Sequence, residues 1–63
     1  MEHTVDQPTR EGYVLVVECL DCRFAGDGYA GSPAESALRK GWATHIERYP
    51  DHAIDAFTYR AEE

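Results

Sequence analysis

The sequence predicts a small α+β fold, antiparallel strands carrying one helix, and three stretches of the chain make that prediction. Residues 13–18 (YVLVVE) are a β-branched and aromatic run of strand length. Residues 32–49 carry a capped helical pattern, and residues 51–60 return to strand-like alternation. With 63 residues the chain has room for one domain, and domains of this size bury a smaller share of their surface than larger ones do. A core of one sheet and one helix rarely supplies more than about 3–5 kcal/mol, so a disulfide, a metal or an oligomeric contact is expected to complete it.

Residues 1–11 are polar, contain Pro8 and show no periodicity, which predicts a flexible N-terminal tail ahead of a single domain over residues 12–61. The strand from Tyr13 leads into Cys19, and CLDCRF at 19–24 has the form of a tight knuckle with Phe24 beside it. Residues 25–31 (AGDGYAG) hold three glycines and Asp27 and read as a turn. No Gly-Lys-Ser/Thr follows Gly26, Gly28 and Gly31, so they form no phosphate loop. Ser32, Pro33 and Glu35 then write a helix start, since Ser-x-x-Glu is the capping box and proline suits the first helical position. Ala34, Ala37, Leu38, Gly41, Trp42, His45, Ile46 and Tyr49 follow at helical spacing and are expected to face the sheet, with Glu35, Arg39, Lys40, Glu47 and Arg48 facing water. Pro50 pushes Tyr49 out of helical geometry and ends the helix. In the last strand Ile54, Ala56 and Thr58 alternate with Asp55, Phe57 and Tyr59, and this strand is expected to pair with residues 13–18. The expected unit is ββα-like or βαβ-like.

Twelve acidic residues outnumber six basic ones, and Lys40 is the only lysine. The excess lies at the two ends of the chain, while residues 23–48 hold four basic side chains against Asp27, Glu35 and Glu47. A surplus of acids argues against phosphate-backbone binding, whose affinity rests on neutralising phosphates. Residues 1–12 contain no apolar signal-peptide core, and no run approaches the roughly 18 apolar residues that cross a membrane, so a cytoplasmic protein with reduced thiols is expected.

In that setting a cysteine pair reads as metal-binding or catalytic. Cys19 and Cys22 are the only two, and a bridge between them would close too short a loop to stabilise much. A redox Cys-x-x-Cys needs a helix N-terminus to activate its thiolate, whereas this pair follows a strand and meets a glycine-rich loop. His45 lies on the inward stripe of the helix and His52 just beyond the Pro50 break, giving Cys-x2-Cys-x22-His-x6-His. Two thiolates and two imidazoles are the ligands of a closed, tetrahedral structural zinc site. The expected ligands are therefore Cys19, Cys22, His45 and His52, holding one structural Zn2+ per chain in a zinc-stapled fold. His3 is a substitute ligand within the polar tail. Four protein ligands leave no open position for a hydrolytic water, so no enzyme activity is expected.

These residues resemble the CCHH zinc fingers, in particular the small one-domain zinc-finger proteins of halophilic archaea, whose acidic, lysine-poor composition the chain shares. The resemblance covers residues 13–59, with Phe24 and Trp42 as the apolar cover of the site. It departs from the family in both spacers, which exceed the usual roughly 12 and 3–5 residues, and in Arg23, where a glycine often follows the second cysteine. What the resemblance implies is a regulatory or interaction module. The expected partner is another protein, met through Phe57 and Tyr59. The alternative is a nucleic-acid-binding finger with a transcriptional role, using Arg39, Lys40 and Arg48, and no membrane contact is expected.

Overall fold

The computed structural model describes residues 7–61 and contains three strands and one helix: β1 (Tyr13–Cys19), β2 (Ala25–Tyr29), α1 (Pro33–Arg48) and β3 (Ile54–Arg60). β1 is central and pairs antiparallel with both neighbours, in the order β2-β1-β3. Side chains alternate across a strand, so the register sorts the sheet into two faces. Leu15 stands between Gly28 and Thr58, and Val17 between Gly26 and Ala56, on the face that α1 covers. Leu15, Val17, Leu38 and Trp42 are the buried centre, with Phe24, Ile46, Ile54 and Ala56 packed around it. Val14 and Val16 point to the opposite face, which no helix among the described residues covers.

The glycine-rich segment expected to be a turn is instead a strand over most of its length, and only Ala30 and Gly31 turn the chain. The reason is close packing. A Cβ on Gly28 would stand 2.5 Å from the backbone nitrogen of Glu35 and 2.6 Å from its Cα, and one on Gly26 would stand 3.0 Å from Leu38 Cδ1. These glycines let the first turn of α1 lie directly on β2. Gly31 has φ +79°, a conformation in which a side chain is strained, and it reverses the chain into the helix.

The helix starts and stops where the sequence places those signals. Ser32 Oγ accepts the Glu35 N–H at 3.2 Å, Pro33 opens the helix, and Tyr49 leaves helical geometry before Pro50. Its inward stripe differs from the expected one. Ala34 and Ala37 are exposed, and Glu35 is buried. Buried Glu35 is fully engaged: Gly31 N–H donates to Oε1 at 2.8 Å, and Thr9 N–H and Arg39 Nε donate to Oε2 at 3.2 and 3.0 Å. Arg39 also donates to Thr9 Oγ1 at 2.9 Å, so it too is turned inward and not simply toward water. The Thr9 hydroxyl first, then the Gly31 N–H, hold the Glu35 carboxyl far below its ordinary value, at about 2, with smaller help from Arg39 and the Thr9 N–H and against the opposing effect of burial. Thr9 is buried, which ties residues 9–13 to the helix start. Of the rest of the expected tail, Gln7 and Pro8 are exposed, and residues 1–6 with His3 lie outside the described residues.

Candidate metal centre

The centre forms where three parts of the chain meet. β1 carries Cys19 to its buried end, and Cys19 N–H donates to Phe24 O at 2.8 Å, closing the knuckle that presents Cys22. The last turn of α1 carries His45, also buried. Past the helix, Pro50 redirects the chain, and His52 N–H donates to Tyr49 O at 3.0 Å, turning the His52 ring back toward the helix end.

The four side chains expected as ligands come together. One donor atom from each of Cys19, Cys22, His45 and His52 lies within 4.8 Å of all the others. Cys19 Sγ is 3.4 Å from His52 Nδ1, Cys22 Sγ is 3.5 Å from His45 Nε2, and the two ring nitrogens are 3.3 Å apart. This Cys2His2 cluster, set in a small ββα-like domain, has the donor set of a zinc finger and can hold one metal ion. Burial raises the Cys19 thiol above its ordinary value. The Asp21 N–H pulls the other way, and the Cys22 side chain adds to the rise. A divalent cation held by these donors would reverse that balance and favour the thiolate.

Leu20 and Asp21 support the site without having been singled out in the sequence. Asp21 donates its N–H to Cys19 Sγ at 3.4 Å while its carboxylate accepts the Ala53 N–H at 2.7 Å, and Leu20 N–H donates to Ala53 O at 2.9 Å. The knuckle is thereby bonded to the residue that follows His52. Tyr49 stacks on His52 with ring centroids 4.8 Å apart and planes at 15°, as Phe24 does on His45 at 4.9 Å and 15°. Phe24 was the expected cover. Trp42 was expected beside it but is spent on the core, where its indole nitrogen has no hydrogen-bond partner among the described residues. Tyr49 covers the site instead. A stacking role needs only an aromatic residue near a ligand, and Tyr49, four residues after His45 and three before His52, carried that signal.

Comparisons with protein-family models, curated proteins and solved structures gave no match. Among the described residues no helix is long and apolar enough to cross a membrane.

Proposed function

We propose that the cluster holds one structural Zn2+ and that the chain is a zinc-stapled interaction module with a regulatory, not catalytic, role. The spacing of the donor atoms carries this reading. Bonds of about 2.3 Å to sulfur and about 2.0–2.1 Å to nitrogen, at tetrahedral angles, set sulfur–nitrogen edges of about 3.5 Å and a nitrogen–nitrogen edge of about 3.3 Å. Three of the six donor separations in the cluster, at 3.4, 3.5 and 3.3 Å, have those lengths, and the rest lie within 4.8 Å, so a small inward shift of the side chains would complete the tetrahedron. Paired thiolate and imidazole donors suit zinc, whereas calcium and magnesium prefer oxygen. The Asp21 carboxylate, beside Cys22 in the chain, accepts the Ala53 N–H and so helps hold the knuckle in place.

A protein partner is favoured over nucleic acid by the fate of the basic helix residues. Arg39 is bonded to Glu35 and Thr9, which leaves Lys40 and Arg48 exposed on a helix whose Trp42 is committed to the core. Two exposed cations on the helix neutralise too few phosphates for it to bind a groove tightly at physiological salt.

Native mass spectrometry and X-ray absorption test the metal. One zinc per chain with two sulfur and two nitrogen neighbours is expected. A chain that keeps its near-ultraviolet circular dichroism in excess chelator would overturn the structural role.

A further inference from the structure

We propose that the face of the sheet opposite α1 is a docking surface for a cationic, arginine-bearing segment of a partner protein. The proposal rests on the reading of the chain as an interaction module and names the chemistry of its partner. The register places three rows on this face: Tyr29, Val14 and Tyr59; then Asp27, Val16 and Phe57; then Ala25, Glu18 and Asp55. Tyr29, Phe57 and Tyr59 are 54, 48 and 47 % exposed, an unusual display of rings for so small a chain. The three charged side chains on the face, Glu18, Asp27 and Asp55, are all exposed and all acidic, and the strands contribute no Lys, Arg or His to it.

This acidity is local. The helix that covers the other face carries Glu35 and Glu47 against Arg39, Lys40 and Arg48, a small positive balance. Acids that served only to hydrate the whole surface would not be segregated in this way. The segregation selects a positively charged partner and repels phosphate.

The first row gives the surface a specific receptor. Tyr29 and Tyr59 stand on the two outer strands with Val14 between them, and Val14 is only 8 % exposed although it points away from α1. Val14, Tyr29, Tyr59, Asp27 and Ala61 line a shallow depression of about 370 Å³. Two strand spacings separate the tyrosines by about 9–10 Å at the backbone, enough for one flat side chain to lie between or against the rings. A guanidinium stacks on aromatic faces and bonds a carboxylate in its plane, so it uses Tyr29, Tyr59 and Asp27 together; an ammonium gains less from the rings.

Fluorescence anisotropy on the full chain purified with zinc tests this, using a labelled arginine–glycine repeat peptide. The same peptide with lysine or with glutamate in place of arginine, and single-stranded and duplex oligonucleotides, serve as competing probes. The arginine peptide is expected to bind tightest, lysine more weakly, and glutamate and nucleic acid not at all. Tyr29→Leu and Tyr59→Leu, which remove a ring but keep Val14 covered, should each weaken the arginine peptide roughly tenfold. Asp27→Asn should weaken it severalfold, while Glu47→Gln, the same change of net charge on the helix, should leave it unchanged.

Equal losses for Asp27→Asn and Glu47→Gln would reduce the binding to net charge and overturn the proposal. So would an oligonucleotide that binds this face. Zinc content and Trp42 emission are read on every variant, which separates the two levels of the reading. A chain with native zinc and emission that ignores the arginine peptide overturns the docking surface and leaves the zinc-stapled module standing.

Discussion

At its C-terminal end α1 meets the sheet through His45, which closes on Cys22 and His52 over the end of β1; at its N-terminal end it meets the sheet through Glu35, which gathers Thr9, Gly31 and Arg39 while Gly28 lets the backbones touch. Both ends gather polar groups from distant parts of the chain, and the energies differ in kind. Structural zinc contributes apparent free energies of about 10–16 kcal/mol in finger peptides, and hydrogen bonds to a charged group about 1.5–3 kcal/mol each. With zinc bound as proposed, the domain is staked on one end and trimmed at the other. Damage at the metal end should abolish the fold, whereas damage at the capped end should loosen it by steps.

The largest expected effect follows from removing a thiolate or the helix-borne imidazole. Cys19→Ser, Cys22→Ser and His45→Ala should fail to fold at ordinary zinc concentrations, with His52→Ala milder. Zinc titration followed by Trp42 emission ranks the four, and an undisturbed His45→Ala chain would undo the assignment. Acid should reach the same end first. Protons compete for the ligands, so metal and tertiary structure are expected to leave together between roughly pH 4 and 6.

Next in size is Gly28→Ala, where the added methyl meets backbone atoms that have no room to move. A loss of about 3 kcal/mol is expected in denaturant melts of the zinc-loaded chain. Gly26→Ala meets only the tip of the Leu38 side chain and should cost visibly less. Equal costs would show that the helix start is not seated on β2.

Glu35→Gln is expected to cost about 2 kcal/mol, because it weakens charge-assisted bonds from three donors. The folded carboxyl is lowered from 4.5 to about 2, so its stabilisation is complete above about 4.5 and is lost as pH falls through about 2. The gap between wild type and variant should therefore be the same at neutral pH and just above the acid transition. A gap that narrows already on approach to that transition would show that the carboxylate is not so held. Ser32→Ala is the smallest change, about 1 kcal/mol for a lost cap, with the zinc site untouched.

The gathering of Cys19, Cys22, His45 and His52 was legible in the sequence because its chemistry is carried by residue type. Thiols two residues apart, an imidazole on an apolar stripe and another past a proline have few other uses in so short a chain. The capped end was hidden because its meaning depends on packing. Gly26 and Gly28 look alike in a turn and in a strand pressed beneath a helix, and the distinction appears only when α1 is in place. Glu35 was legible as a capping residue but not as a buried one, since Thr9, its partner from the other side, sits in a segment without pattern. Trp42 and Tyr49 exchanged expected roles for a similar reason: helical spacing put both on the inward stripe, and only the tilt of α1 decides which ring enters the core.

One detail of the centre reaches further. His45 turns Nε2 toward the cluster and His52 turns Nδ1. A neutral imidazole that gives one nitrogen to a metal keeps its proton on the other. Metal binding would therefore fix the two rings as opposite tautomers, His45 protonated on Nδ1 and His52 on Nε2, and nitrogen-edited proton spectra would show two distinct coupling patterns. The choice also sets reach. His45 spans the distance from the helix with the long arm of its ring, and His52, whose neighbour Ala53 is pinned to the knuckle, needs only the short one. A cysteine, shorter still, should substitute for His52 far better than for His45.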